Sequence, residues 1–531
     1  MCGITIYISK NKNEHDETNI KNVSFRGPDD LNIIKTIYKD YNISFVFHRL
    51  AIIDLEHGQQ PFIYQNDDRI IYLLCNGEIY NYLDIIKQYN FSTKSDCHVI
   101  LDMYVKQGIY KTVEKLDGEF AFVIVDITKD KGMKIYSCRD RFGIRPLFYY
   151  KNDTGIYFSS ELKGLPFHGK GKQVEPRYIH FFLEQNLFFK EISISYYQIG
   201  LNYIHSSADD IYKQIRDVLI KSVNDRLQSE RPIGALLSGG LDSSLICGIA
   251  SKLLADKGKR LNTFTIGMDI DSPDIIAAKK VAIFINSIHH EIIIPVEEWI
   301  NNLPNVIKQI ETTCITTIRA STAQYLISKW ISKNTDIKVI LNGDGSDEIT
   351  SGYLYFYNAP NSDESHKENI ELLKQIHNYD VLRVDRGISA FGLESRVPFL
   401  SHHFVDLYLS IDKSLRNPIK GNRMEKYLLR KSFELEHIIP NDILWRKKEA
   451  FSDAVSNKRK SWFEYINDYV NTQINPDDKE LNNFSSKEAY WYYKLFKSYY
   501  PNYEYKIQNW LPKWCGDIQE PSARVLIDIE Y

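Results

Sequence analysis

The sequence predicts two α/β domains, the first built on stacked sheets with flanking helices and the second on a parallel sheet covered by helices. A chain of 531 residues is too long for a single hydrophobic core. Short apolar strands separated by turns fill the first part, whereas strands and helices alternate beyond residue 205. The weakly patterned stretch Lys190–Ser207 joins the two parts, so we assign the domains to residues 1–200 and 201–531.

In the first domain, alternating residues in Ile4–Ile8 predict the first strand. Val99–Gln107 has the pattern of a helix, and Ser95-Asp96 before it provides a start signal. Further apolar runs predict strands at Ile43–Phe47, Ile70–Cys75, Phe120–Asp126, Met133–Cys138 and Gly155–Ser159.

In the second domain, predicted strands and helices follow one another in regular order. They are helix Asp209–Arg226, strand Ile233–Leu237, helix Ser243–Leu254, strand Leu261–Met268, helix Asp274–Asn286, strand His290–Ile294 and, after further helices, strand Lys338–Asn342. This alternation indicates a parallel sheet with both faces covered. The residues that follow, to about residue 500, have mostly helical patterns.

Composition excludes several classes of function. The formal charge of −3 gives no electrostatic reason to expect a nucleic-acid or acidic-membrane partner. No run approaches the ~18 apolar residues of a membrane span, and the N-terminus lacks a secretory signal. The seven cysteines form no CxxC pair, so neither a disulfide framework nor a zinc module is indicated. We expect a protein of the reducing cytoplasm.

Cys2 is the first candidate catalytic residue. Methionine is readily removed before a small side chain, which would leave the Cys2 thiol beside its own α-amino group. An amine with a pKa near ~7.7–8.0 can accept the thiol proton, as in N-terminal nucleophile catalysis. The alternative is an incidental early cysteine.

Four other features of the first domain have simple structural explanations when taken alone. Arg26–Asp29 reads as a turn, Arg49 as an exposed cation on a strand, Asn76-Gly77 as a hairpin turn, and Asp96 as a helix N-cap. Acyl transfer from an amide needs the same groups. Asn76 and the Gly77 N–H could stabilise an oxyanion, while Arg49 and Asp96 could bind the α-carboxylate and α-ammonium of an amino acid.

Two loops of the second domain have the chemistry of a nucleotide site. Ser238–Ser244 (SGGLDSS) lies between a buried strand and a helix, where glycine N–H groups and the helix N-terminus can cradle phosphate. Gly343–Glu348 (GDGSDE) follows another strand and has three carboxylates. Asp242 and Asp347 are therefore plausible Mg²⁺ ligands, because Mg²⁺ favours a few carboxylates plus phosphate oxygens.

Taken in order, these motifs resemble those of the glutamine-hydrolysing asparagine synthetases. The similarity extends from residue 2 almost to the end of the chain. Its motifs are CGI (2–4), RGPD (26–29), RLAII (49–53), NGEIYN (76–81), SDCH (95–98), SGGLDSS (238–244), TTIRAST (316–322), GDGSDE (343–348), SGYLYF (351–356), SRVPFL (395–400), KEAFSD (448–453) and the tail PSAR (521–524).

The resemblance implies an αββα four-layer class II amidotransferase domain followed by an ATP-pyrophosphatase-type domain with a helical extension. Cys2 would form a glutamyl thioester and release ammonia. Aspartate and ATP would give β-aspartyl-AMP and pyrophosphate, and ammonia arriving through an internal tunnel would displace AMP. The implied substrates are thus L-glutamine, L-aspartate and ATP, with Mg²⁺ as cofactor. A homodimer is the assembly that we expect.

The resemblance also assigns site residues. The catalytic set is Cys2, Asn76, Gly77, Asp344 and Lys448. The glutamine-binding set is Arg49, Leu50, Ala51, Ile52, Ile53, Asn76, Gly77, Glu78 and Asp96. The ATP-binding set is Leu236, Ser238, Gly239, Gly240, Asp242, Ser243, Ile266, Asn342 and Gly343. Asn342 and Asp344 depart from the family pattern, which has serine and glutamate at these positions.

Two rival functions stay open. A relative with the same adenylating domain could form another amide, and a regulatory protein could retain both domains with inactive sites. Two further patterns favour structural roles. Adjacent His289 and His290 on a strand point to opposite faces and so do not form a metal site. The tyrosine-rich stretch Tyr490–Tyr505 lacks the arginines of a nucleic-acid platform, which favours packing.

Overall fold

A computed structural model describes residues 1–11, 17–166, 170–185, 188–200, 207–448, 455–456, 460–503 and 510–516. Within these ranges the chain forms two α/β domains, as the sequence predicts. Phe451–Asp453 of the KEAFSD motif and the tail motif 521–524 lie outside the described residues.

Strands dominate the described part of the first domain. They are β1 (Gly3–Ser9), β2 (Asp30–Tyr38), β3 (Tyr41–Arg49), β4 (Phe62–Gln65), β5 (Arg69–Ile79), β6 (Gly118–Thr128), β7 (Gly132–Arg139), β8 (Phe148–Lys151), β9 (Gly155–Ser159), β10 (Lys172–Gln173), β11 (Tyr178–Gln185) and β12 (Phe188–Ser195). The helices are α1 (Glu17–Lys21), α2 (Tyr82–Tyr89), α3 (His98–Gln107) and α4 (Ile109–Lys115).

These strands form two antiparallel sheets that pack face to face. One sheet has the order β10-β8-β9-β1-β3-β2, and the other has the order β12-β11-β7-β6-β5-β4. Ile6 and Phe45 from the first sheet share a buried core with Leu74 and Val123 from the second. The opposite face of the second sheet packs on α3, and the first sheet's outer face contacts α1 and the second domain. The predicted αββα layering is confirmed.

The second domain is built on a parallel sheet with the order β15-β14-β13-β16-β17. Its strands are β13 (Ile233–Leu236), β14 (Asn262–Gly267), β15 (Ile288–Ile293), β16 (Val339–Leu341) and β17 (Glu394–Arg396). Helix α5 (Ala208–Asp225) precedes this sheet, and the helices between its strands include α6 (Leu241–Ala255), α7 (Pro273–Phe284), α8 (Val296–Ile310) and α9 (Ile315–Asn334).

Further helices follow along the described chain. They are α10 (Ser346–Thr350), α11 (Ser362–Gln375), α12 (Asp380–Ser389), α13 (His402–Ser410), α14 (Lys413–Arg416), α15 (Tyr427–Phe433), α16 (Asn441–Leu444), α17 (Trp462–Gln473) and α18 (Lys487–Tyr499). The strand order reverses between the adjacent strands β13 and β16, because β14 and β15 lie on one side and β17 on the other. Ligands of open α/β sheets bind at such a switch point, beyond the carboxyl ends of the strands.

The structure corrects three local interpretations of the sequence. Asn76-Gly77 lies within β5 and is not a turn, since Asn76 pairs with Ala121 of β6. The N-cap of α3 is Cys97, so Asp96 does not have that position. The proposed join Lys190–Ser207 overlaps strand β12, whose pairing with β11 the weak local pattern did not reveal.

Buried ion pairs hold the two domains together. Arg26 contacts Glu161 of its own domain at 2.5 Å and Asp385 of the second domain at 2.8 Å, and the three side chains are at most 1% exposed. Glu119 likewise joins the two domains by contacting Arg226 at 2.8 Å. Removing one partner of such a pair leaves a buried charge uncompensated, so these contacts fix how the domains are placed. Among the described helices, none is both long and apolar enough to cross a membrane.

Candidate functional site

Cys2 lies at the start of β1, in contact with the loop that follows β3. The backbone N–H of Leu50 donates to Cys2 Sγ at 3.4 Å, and the thiol faces the Leu50 carbonyl at 3.6 Å. Burial raises the pKa of the Cys2 thiol to about 11. The thiol is therefore protonated at neutral pH in this structure and needs a base before it can act as a nucleophile.

Met1 packs between the two domains. It is 1% exposed, its terminal ammonium faces the Leu393 carbonyl at 3.5 Å, and its thioether lies against Arg26 and Arg145. Burial lowers the pKa of this ammonium to about 6. With Met1 in place the Cys2 nitrogen is a peptide nitrogen, so it cannot serve as the base.

The RGPD and RLAII motifs form one loop pair beside Cys2. Asp29 accepts a hydrogen bond from the Ala51 N–H at 2.9 Å, and its own N–H donates to the Arg49 carbonyl at 3.0 Å. The Arg49 side chain is buried rather than exposed, and its guanidinium donates to the carbonyls of Asp54 and Leu55 at 2.6 and 3.1 Å. The two motifs are thus held against each other by hydrogen bonds beside Cys2.

Among the predicted glutamine-binding residues, the Asn76 side chain gives the clearest indication that a ligand binds there. It is fully buried, yet neither its amide nitrogen nor its amide oxygen has a hydrogen-bond partner among the described residues. Leaving such a group unpaired is costly, so a bound ligand is the natural partner. At the next residue only glycine fits, because a Cβ on Gly77 would lie 2.3 Å from the Glu119 carbonyl oxygen.

The predicted glutamine-binding set includes two buried carboxylates, Glu78 in β5 and Asp96 in the segment before α3. Asp96 accepts the Ile79 N–H at 2.9 Å, and burial raises its pKa to about 6. Burial raises the pKa of Glu78 as well, and the charges of Glu394 and Asp96 add to that effect. Glu78 also influences the Cys2 thiol electrostatically, which places NGEIYN and Cys2 in one neighbourhood.

The second domain has a cavity of ≈ 200 Å³ at the switch point between β13 and β16. It is lined by predicted residues from both loops and from the KEAFSD motif: Leu236, Ser238, Gly240, Asp242, Ser243, Ile266, Asn342, Gly343, Asp344, Asp347 and Lys448. Gly239 is absent from the described lining. Its backbone has a φ of +74°, and a Cβ there would lie 2.4 Å from the Ala277 side chain.

The SGGLDSS loop leads directly into α6, as predicted. Ser243 Oγ accepts the Ser238 N–H at 3.2 Å, and the two hydroxyls are 3.0 Å apart. The Gly240 N–H donates to Ser238 Oγ at 3.3 Å. These bonds hold the turn at the N-terminus of a helix of 15 residues, where the helix dipole favours an anion.

Asp242 and Asp347, the predicted metal ligands, converge on one buried lysine. Lys426 Nζ lies 2.5 Å from Asp242 Oδ2 and 2.6 Å from Asp347 Oδ1, and Lys448 also contacts Asp347. Burial alone would raise the pKa of Asp347, but these two ammonium groups hold it well below its usual range. Oxygens from both carboxylates therefore meet around one cationic position.

Asp344 and Asn342 are the two departures from the family pattern. They are hydrogen-bonded to each other, and Asp344 also pairs with a cation. Asn342 Oδ1 accepts the Asp344 N–H at 3.1 Å, and the Asp344 carboxylate is paired with Arg383. Gln324 donates to the same carboxylate at 3.3 Å. Burial raises the pKa of Asp344, although the Arg383 charge opposes that shift.

Both structural interpretations of the remaining motifs are supported. His289 contacts the Thr263 hydroxyl at 2.9 Å, whereas His290 stacks on Phe264 with the ring centroids 4.7 Å apart. In the tyrosine-rich stretch, Tyr490 and Tyr492 of α18 are almost fully buried. These side chains belong to the packing of the domain.

The sequence analysis missed Lys426 and assigned no contact to Arg383. Lys426 is separated from Asp242 by 184 residues, and no local pattern marks it. The number of carboxylates in the cavity could have indicated a further cation, because buried carboxylates require cations nearby. Lys448 supplies one positive charge from the motifs, against the four motif carboxylates Asp242, Asp344, Asp347 and Glu348 that line the cavity.

Known families match nearly the whole chain. A glutamine amidotransferase domain profile matches residues 1–201, and an asparagine synthase profile matches residues 214–373 and 359–515. The chicken (Gallus gallus) glutamine-hydrolysing asparagine synthetase is 39% identical, with 95% of this chain and 94% of that protein covered. The human and rat proteins of the same name are each 40% identical, with the same coverage.

Proposed function

Because the chain belongs to the family of glutamine-hydrolysing asparagine synthetases, we propose that its two sites act in sequence to make L-asparagine. The first site releases ammonia from L-glutamine. The second activates L-aspartate with ATP as β-aspartyl-AMP, and ammonia displaces AMP. The products are asparagine, glutamate, AMP and pyrophosphate.

One observation carries this assignment best. One domain holds Cys2 and the buried Asn76 amide, whose polar atoms lack described partners, and the other domain holds a charged cavity at the switch point of its sheet. The glutamine site alone would not require the second domain, and the ATP site alone would not require the first. The two together supply what amide synthesis with glutamine as nitrogen donor demands.

In the first site, Cys2 Sγ attacks the side-chain amide carbon of glutamine. After removal of Met1, the α-amine of Cys2 accepts the thiol proton and transfers it to the leaving ammonia. The Asn76 amide and the Gly77 N–H stabilise the tetrahedral oxyanion. Water then hydrolyses the thioester to release glutamate.

The substrate's polar end is bound by the groups around this pocket. Asp96 pairs with the α-ammonium and Arg49 with the α-carboxylate, while Leu50–Ile53 and Glu78 supply the walls and backbone partners. Arg49 is already held by two carbonyls, which orients its guanidinium before glutamine binds.

In the second site, the SGGLDSS loop binds the leaving phosphates and residues Leu236 and Ile266 contact the adenosine moiety. The aspartate β-carboxylate attacks the α-phosphorus, and pyrophosphate leaves. Lys448 neutralises the charge that grows on the leaving phosphates, a role that suits a compact ammonium. Lys426 shares this role. Its ammonium bridges Asp242 and Asp347 in this structure, and bound ATP brings phosphate groups to the same ammonium.

Asp242 and Asp347 fit Mg²⁺. Their oxygens already converge on one positive charge, and Mg²⁺ is held by one or two carboxylates plus substrate phosphates. When bound with ATP, the ion supplies charge neutralisation on the phosphates. The protein residues orient the nucleotide and separate aspartate from bulk water.

Ammonia must travel between the sites without meeting neutral water, which would convert it to non-nucleophilic ammonium. Met1, the residue before Cys2, contacts the Leu393 carbonyl of the second domain at 3.5 Å, so Cys2 lies close to the domain border. We propose that an internal tunnel starts there. The domain boundaries 1–200 and 201–531, a cytoplasmic location, a homodimer and the absence of nucleic-acid and membrane partners belong to the same proposal.

Turnover with different acids tests this function against its closest rival, the synthesis of another amide. The full-length protein is incubated with ATP, Mg²⁺, amide-¹⁵N-glutamine and one candidate acid at a time. We expect ¹⁵N-asparagine and pyrophosphate in equal amounts with aspartate. Faster pyrophosphate release with another acid would favour a different amide product, and no turnover with any acid would favour a regulatory protein.

A further inference from the structure

A cluster of two histidines and one carboxylate lies at the border between the domains, outside both sites. Asp117 directly precedes β6 in the first domain, whereas His402 and His403 begin α13 in the second. Asp117 Oδ1 is 3.4 Å from His402 Nδ1, and Asp117 Oδ2 is 3.4 Å from His403 Nε2. One ligand atom from each residue lies within 4.8 Å of the other two.

This spacing suits a tetrahedral metal ion. Zinc binds imidazole nitrogen and carboxylate oxygen at about 2.0–2.2 Å, which separates neighbouring ligand atoms by about 3.3–3.6 Å in a tetrahedron. Each histidine contact with Asp117 has a length in that range, although the two contacts go to different oxygens of the carboxylate. Binding one ion through a single carboxylate oxygen therefore requires a small rotation of Asp117 or of His403, whose side chain is 52% exposed.

Two nearby arginines are occupied elsewhere. Arg141 donates to the carbonyls of Leu116 and Glu114 at 2.7 and 3.2 Å, and Arg226 pairs with Glu119 at 2.8 Å. Neither guanidinium donates to the Asp117 carboxylate in the described hydrogen bonds. The carboxylate therefore remains directed at the two imidazoles.

We propose that Asp117, His402 and His403 form a binding site for a divalent transition-metal ion of the zinc type, which joins the first domain to the second. Two imidazoles and one carboxylate leave a fourth position for water on the exposed side of His403. Imidazole nitrogen selects zinc over Mg²⁺, so the Mg²⁺ used with ATP does not compete for this site. The site is independent of the proposed reaction.

Calorimetric titration of the full-length protein with zinc chloride tests the site. We expect one zinc ion per chain, with each neutral imidazole binding through the nitrogen that faces Asp117 while its ring proton lies on the other nitrogen. His403→Ala should weaken binding by roughly tenfold or more. His57→Ala is the matched control, because His57 forms an exposed pair with Asp54 at 3.1 Å, and it should leave binding unchanged.

Cobalt substitution gives a readout that does not depend on a variant folding. Co²⁺ bound by two imidazoles and a carboxylate should show visible tetrahedral absorption without thiolate charge-transfer bands. Charge-transfer bands would instead place the metal on Cys2 or Cys515, the partly exposed thiols. That result, the absence of zinc binding, or equal zinc affinity in folded His403→Ala and wild type would overturn the proposal.

Discussion

The proposed glutamine site of the first domain contains a buried side chain without a described protein partner, whereas the carboxylates of the proposed nucleotide cavity are already paired with lysine and arginine. Asn76 has both amide atoms unpaired among the described residues. Asp347, by contrast, contacts two lysines, and Asp344 contacts Arg383. A ligand in the first pocket adds missing bonds, but a ligand in the second must exchange existing ion pairs.

This difference follows from the charge of the two ligands. Glutamine presents a neutral amide to Asn76, so the protein can keep an uncharged donor buried and ready. ATP brings several negative charges, and an empty cavity with unpaired lysines and carboxylates would be costly. Pairing the cavity's opposite charges with one another stabilises it until the nucleotide arrives.

Removing the nucleophile should produce the largest effect and separate the sites completely. Cys2→Ala should abolish glutamine-dependent asparagine synthesis, since no other residue is proposed to form the thioester. Synthesis from ammonium chloride at elevated pH should remain near the wild-type rate. Cys515→Ala, which changes the other partly exposed cysteine, is the control. Loss of ammonia-dependent synthesis in Cys2→Ala would contradict two separable sites.

Removing a cation from the nucleotide cavity should stop adenylation but spare glutamine hydrolysis. Lys426→Met or Lys448→Ala should lower aspartate-dependent pyrophosphate release by about 10²–10³-fold, on the order of 3–4 kcal/mol, because a preorganised charge is lost. Glutaminase activity and Lys420→Ala, a variant of an exposed lysine, serve as controls. Pyrophosphate release near the wild-type rate would move the tested lysine away from the phosphates.

Removing the unpaired amide should impair turnover in the first pocket. Asn76→Ala should reduce glutaminase kcat by about 10²–10³-fold, as expected for loss of one oxyanion donor, with little change in KM. Steady-state glutaminase kinetics measure both constants. A change confined to KM would show that Asn76 binds ground-state glutamine and does not stabilise the oxyanion.

Lengthening one carboxylate should test how closely the cavity's ion pairs are fitted. Asp344→Glu extends the side chain by one methylene against Arg383 and should reduce synthesis by up to about 10²-fold. Adding Asn342→Ser, which restores the family pair, should recover activity. The double-mutant cycle measures the coupling, and strictly additive effects would show that the two positions act separately.

The smallest expected effect is a pH dependence of glutamine binding. The pKa of Asp96 is raised to about 6, so the carboxylate is protonated as pH falls below that value and its attraction for the α-ammonium is lost. We expect glutaminase kcat/KM to fall below pH 6 in wild type. Asp96→Asn should have a low and nearly flat profile there. An unchanged wild-type slope in Asp96→Asn would assign the titration to another group.

Much of the fold was predictable because its signals are local. Apolar runs located β5, β6 and β14 to within a few residues, and the SGGLDSS loop was placed correctly between a strand and a helix. The sequence analysis did not predict the edge strand β2, because its exposed residues Leu31, Ile33 and Ile37 obscure the usual apolar–polar alternation. Asn76-Gly77 has a turn composition, yet pairing with β6 overrides that preference.

The sequence by itself determined the order of strands and helices, the cysteine beside the N-terminus and the glycine-rich loop at the start of α6, because each depends on neighbours along the chain. Tertiary structure decided which charges pair. Lys426 reaches Asp242 across 184 residues, and Asp117 meets His402 only because the two domains pack together. Electrostatic pairing depends on distance in space, which the sequence order of such distant residues does not specify.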